Sequence, residues 1–75
     1  MEDMENILIL KTNVKKPKQV ISLESLLSRH SEIEQWSIDL EDVDSVLRIV
    51  SKTLTYNKVT NLLKQLGYFC CELEG

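Results

Sequence analysis

Apolar residues change their spacing along this chain, twice in the same order: every second residue, then every third or fourth, then every second again. This alternation constrains the fold more than any other feature. A strand repeats its face with period two and a helix with period 3.6, so each element has one apolar side that the others must cover. Residues 6–14, NILILKTNV, open with an apolar run at 7–10. Beyond the run the parity is clear: Leu8, Leu10, Thr12 and Val14 share one face, and Ile7, Ile9 and Lys11 the other. Its β-branched content and its stop at 15–17 favour a strand over a helix.

Pro17 then suits the first turn of a helix, where its missing N–H costs nothing. Val20, Leu23, Leu27 and His30 follow at spacings of three and four, which predicts an amphipathic helix of about four turns ending at His30 and Ser31. Residues 33–41, IEQWSIDLE, alternate strictly, with Trp36, Ile38 and Leu40 opposite Gln35, Ser37, Asp39 and Glu41. They read as a half-buried strand. EDVDS is a turn. SVLRIVSK is the next strand, with Leu47 and Ile49 on one side and Val46, Arg48 and Val50 on the other. Thr55 is an N-cap for a second helix with the stripe Val59, Leu62, Leu63 and Leu66. Gly67 stands where a left-handed C-cap is wanted. YFCCEL closes the pattern as a short strand, with Phe69, Cys71 and Leu73 expected in phase.

The order β-α-β-β-α-β, with right-handed crossovers, predicts an α+β, ferredoxin-like βαββαβ sandwich. It would have a four-stranded antiparallel sheet in spatial order 4-1-3-2 and two helices on one face. The covered face would take Leu8, Leu10, Trp36, Ile38, Leu40, Leu47, Ile49 and Phe69, with Cys71 as a small core residue. The other face would be open. With 75 residues, 43% hydrophobic and 28% charged, one globular domain over 1–75 is expected, with residues 1–5 flexible. A formal charge of −3 and aromatics that do not interleave with basic residues argue against nucleic acid. No run reaches the roughly 18 apolar residues of a membrane span. MEDMEN lacks the basic and apolar regions of a signal peptide. Cys70 and Cys71 are adjacent, so a bridge between them would be strained. Free thiols in a reducing, cytoplasmic setting are the expectation.

Two stretches, SLESLLSRHSEIEQWSIDLE and KVTNLLKQLGY, make the chain similar to the heavy-metal-associated family. That is the fold of small copper chaperones and of the N-terminal modules of metal-transporting ATPases. The likeness covers about residues 6–70. It implies a first helix that ends in a Leu before an alternating strand, and a second that ends in Gly-Tyr. The family's functional signature is Met-x-Cys-x-x-Cys at the first strand-to-helix turn. On the register set by Leu23, Leu27 and Ile33, Val14 falls at the Met, and Lys16 and Gln19 at the two Cys positions. A lysine ammonium has no lone pair to donate at neutral pH, and soft metals need thiolate or imidazole. The family's metal binding is therefore not carried over to this loop, and no cofactor is expected. ACT-type regulatory domains share the topology.

Lys15, Lys16 and Lys18 gather at a helix entrance whose free N–H groups carry positive potential. They read either as a docking point for an anion or acidic partner, or as a solvated loop. Cys70 is a candidate relocated ligand, set against its reading as an exposed or packed sheet residue. His30, the single histidine, reads as a helix-end residue. No nucleophile, base or Gly-rich loop falls at a motif spacing, so an enzyme is not expected. The open sheet face would gather Ile7, Ile9, Val46, Val50 and Tyr68, which suggests contact with a protein partner or with a second copy as a homodimer. The leading expectation is a non-catalytic interaction module. The alternatives are metal trafficking or metal response through Cys70 or a partner's thiols, and an ACT-like small-ligand sensor.

Overall fold

A computed structural model describes residues 6–73; the expected flexibility of residues 1–5 lies outside the described residues. Six elements follow in the expected order: β1 (Asn6–Thr12), α1 (Pro17–Leu27), β2 (Gln35–Asp39), β3 (Val46–Ser51), α2 (Tyr56–Gln65) and β4 (Cys70–Glu72). They form one sheet in the order β2-β3-β1-β4 with every neighbouring pair antiparallel. The chain thus has the α+β, ferredoxin-like arrangement that its periodicity predicts.

The register follows the apolar parity. Leu8 pairs with Ile49 and Leu10 with Leu47. These four join Leu23 and Leu27 of α1 and Val59 and Leu63 of α2 in one buried cluster. Both helices therefore cover the same sheet face. Val14 is also buried there, although the chain has left β1 two residues earlier. Thr12 makes that departure. Its Oγ1 accepts from the Val14 N–H at 3.1 Å and donates to the Ser45 carbonyl at 2.9 Å. Its own N–H reaches the Asp44 carbonyl at 2.9 Å.

α1 stops at Leu27 rather than at His30. The Ser28 N–H bonds the Glu24 carbonyl at 2.9 Å as the last helical contact, and the His30 N–H turns back to Leu27 at 3.2 Å. His30 organises the turn that follows, its Nδ1 accepting from the Glu32 N–H at 3.2 Å. α2 starts as expected, with Thr55 Oγ1 accepting from the Lys58 N–H at 3.3 Å.

The end of α2 changes the phase of everything after it. Gly67 has φ +83°. Its N–H bonds the Lys64 carbonyl at 2.9 Å, and the Tyr68 N–H bonds Leu63 at 3.0 Å. This pair of bonds is the Schellman motif, which draws the residue after the glycine onto the helix's last apolar turn. Tyr68 accordingly packs against the core. Parity then sends Phe69 out, Cys70 in and Cys71 out. Phe69 is 61% exposed and Cys70 only 2%. The expectation that Phe69 and Cys71 lie inside is corrected: the helix cap, not the strand pattern, sets this phase.

Candidate interaction face

The uncovered side of the sheet is built from odd residues of β1 and β2 and even residues of β3. The register gives two rows across three strands, Gln35, Val50 and Ile7, then Ser37, Arg48 and Ile9, and beyond them the pairs Asp39 with Val46 and Lys11 with Cys71. Ile7 is 60% exposed, and Ile9 and Val50 are half-buried. A shallow groove of about 210 Å³ runs here between Ile7, Gln35, Trp36, Ser37, Arg48 and Val50. A second hollow, of about 440 Å³, is lined by Lys11, Cys71, Glu72 and Leu73 on the β4 side.

Two residues expected on this face do not contribute to it. Val46 shares its parity but is only 3% exposed. It stands opposite Asp39 as the first residue of β3, directly after the β2–β3 turn. Tyr68 packs inward for the capping reason given above. In their place the reversed phase of β4 brings Cys71 to this side. Gly67 was the sequence signal for that exchange, because a glycine C-cap predicts an apolar residue folded inward immediately after it.

The basic loop has a different construction from a bare helix N-terminus. Gln19 Oε1 accepts from the N–H of Lys15 at 2.7 Å and of Lys16 at 2.9 Å. The Gln19 N–H itself bonds the Lys16 carbonyl at 2.9 Å, and Pro17 has no N–H to offer. A neutral amide oxygen thus occupies the place where an anion would meet the entrance of α1. Lys15 Nζ donates to the Val43 carbonyl at 2.8 Å, tying the loop to the β2–β3 turn. Lys16 and Lys18 remain exposed. Any docking of acidic groups here falls to ammonium groups, since two of the entrance amides are already satisfied.

Cys70 lies in the core, its Sγ donating to Thr60 Oγ1 at 3.8 Å. Burial pushes its thiol pKa up. A protonated, enclosed thiol is a poor metal ligand and a poor nucleophile. The two cysteines have exchanged their expected sides, with Cys71 rather than Cys70 beside the open face. Among the described residues, no three His, Cys, Asp or Glu side chains converge as a metal site, and no helix is long and apolar enough to cross a membrane.

Compared with protein-family models, with curated proteins and with solved structures, the chain gives no match.

Proposed function

We infer that this protein is a non-catalytic interaction module on a heavy-metal-associated-like scaffold. In this reading it binds a protein partner, in the simplest case a second copy of itself, with the open sheet face. The observation that carries the reading is the side-by-side placement of Ile7, Ile9 and Val50 beside a groove on a face that, among the described residues, neither helix covers. Apolar side chains grouped on one exposed face gain from a partner, whereas scattered ones need none.

Size sets the strength to expect. Four strands of seven, five, six and three residues, about 4.8 Å apart and at about 3.3 Å per residue, give a footprint of roughly 19 by 17 Å. That is well under the ~800 Å² per partner of a stable interface. A face of this size taken alone falls in the range of weak or transient contacts. Light scattering behind size exclusion tests the homodimer: the apparent mass should rise from 8.7 kDa toward twice that value at high micromolar protein. Ile7→Glu should return it to the monomer mass without loss of fold, because Ile7 is largely solvent-exposed. A monomer at every concentration, with no perturbation of Ile7, Ile9 or Val50 amides, would falsify self-association through this face.

The relation to the metal-binding family is supported by the first turn of α1. Lys16 and Gln19, at the positions where that family has its cysteines, stand at the N-cap and third helical position. The Gln19 side chain folds back onto the Lys16 amide. The two positions face each other across one turn, as a chelating pair would have to.

A further inference from the structure

A separate surface, the free edge of β2, has its own chemistry. Among the described residues β2 is an outer strand, and the direction of its backbone groups follows from bonds elsewhere in the sheet. Ile9 turns both of its groups toward β4: its carbonyl accepts from the Leu73 N–H at 2.9 Å, and its N–H donates to Tyr56 Oη at 3.3 Å. Backbone direction alternates along a strand, so Leu8 and Leu10 turn toward β3. Their partners Ile49 and Leu47 turn back toward β1, which leaves Arg48 and Val50 to bond β2 through Ser37 and Gln35. The Val50 carbonyl does face this side, accepting the Glu34 N–H at 2.9 Å; Glu34 precedes β2 and lies off its alternation. Trp36 and Ile38 therefore aim their N–H and C=O groups away from the sheet. Both side chains are half-buried on the helix-covered side.

Acidic side chains predominate around this edge, with Arg48, beside Ser37 on the open face, and Lys15, bonded to the Val43 carbonyl, as cations close by. Glu32, Glu34, Asp39, Glu41, Asp42 and Asp44 all fall between His30 and Arg48, and no Lys or Arg lies in that interval. Glu34 and Asp39 flank the free edge directly, and both are exposed. A second copy of this strand would bring the same acids to the junction. A strand of opposite charge would not.

We propose that the β2 edge receives an extended basic segment of a partner protein as a fifth strand, bonded through the Trp36 and Ile38 backbone. The alternation of β2 dictates the partner's pattern. Its residues on the helix side are apolar and lie beside Trp36 and Ile38. Its residues on the open side are Lys or Arg, in reach of Asp39 and of the acids beyond either end. This interaction does not require the open-face reading, and its test probes different residues.

The probe is a blocked synthetic peptide of alternating valine and lysine. Trp36 is the single tryptophan, so its fluorescence reports directly on the edge. Peptide addition is expected to shift that fluorescence and to slow amide exchange at Trp36 and Ile38 by about tenfold or more, while β3 amides stay unchanged. Affinity should fall with added salt and with Asp39→Lys. A peptide N-methylated at alternate residues, unable to donate its backbone N–H groups, should not bind. The proposal is overturned if residues 35–39 show no change at millimolar peptide, or if a valine–glutamate peptide binds equally well. Undiminished binding by the N-methylated peptide overturns it too. So does exchange at Trp36 and Ile38 that slows with protein concentration alone, because the occupant is then a second copy.

Discussion

Ser45 is the clearest single-residue anomaly. It has φ 46°, a left-handed conformation that costs an L-residue roughly 1–2 kcal/mol. It is fully buried, and its Oγ has no hydrogen-bond partner among the described residues. What holds it is its backbone: its carbonyl takes the Thr12 hydroxyl, and its N–H bonds the Asp42 carbonyl at 2.9 Å. Ser45→Gly keeps those bonds and removes both the strain and the orphaned hydroxyl. Its urea midpoint should correspond to a gain of about 0.5–1 kcal/mol, after the greater chain entropy of glycine is subtracted. A lower midpoint would mean the hydroxyl has a partner of its own. The cysteines differ in the same residue-level way. A thiol-specific disulfide reagent should modify Cys71 in the native protein and Cys70 only on unfolding. Because burial raises the Cys70 pKa, the native state holds its proton at a pH where the unfolded chain releases it. That stability is present below the ordinary thiol pKa of about 8.5 and is lost as pH climbs above it toward the raised native value. Cys70→Ala should remove this alkaline slope, read as urea midpoint against pH, and Cys71→Ala should not.

Among the elements, α1 and β4 each depend on one side chain from outside the regular pattern. Gln19 caps α1 from within by satisfying two amides, so Gln19→Ala should cost about 1 kcal/mol, visible in denaturant unfolding. Replacing both Lys16→Cys and Gln19→Cys asks a different question of the same turn. If the likeness to the metal-binding family extends to loop geometry, the reduced double variant takes up one Cu(I) against a weak competitor while the parent takes up none. Failure of a folded double variant to do so counts against the likeness. β4 depends on Tyr56 from the start of α2. In a regular ladder the Ile9 N–H would bond the Leu73 carbonyl; the tyrosine hydroxyl takes that N–H instead. Tyr56→Phe leaves the donor without this acceptor. A loss of about 1–2 kcal/mol and faster exchange of the Ile9 amide should follow. An unchanged Ile9 exchange rate would show that the Leu73 carbonyl can take over.

For the whole molecule, the open face and the free β2 edge are products of one economy: two helices can cover only one side of a four-stranded sheet. Six elements, their order, the sheet topology and the Leu8, Leu10, Leu47 and Ile49 core were all legible in the chain, because period and parity are local and every apolar stripe had to find cover. Gly67 and Thr55 announced their caps for the same reason, since capping chemistry reaches only a few residues. Less was legible of the site. Ile7, Ile9 and Val50 could be assigned to the open face from strand parity alone. Val46 could not be distinguished from them by parity, because its burial depends on how the turn immediately before it lies against the sheet. The interior placement of Tyr68 and Cys70 follows from the Gly67 cap setting the phase of β4; Gly67 carries the signal in the sequence, but the apolar pattern of YFCCEL by itself points to the opposite phase. The role of Gln19 as a cap and the outward aim of the Trp36 and Ile38 backbone were decided in three dimensions. Hydrogen-bond direction at an edge is set by the neighbouring strands, not by the strand's own residues. Sequence by itself determined which residues need burial and with what period. Tertiary structure decided which exposed groups remain free to meet a partner, because that depends on what the other elements leave uncovered.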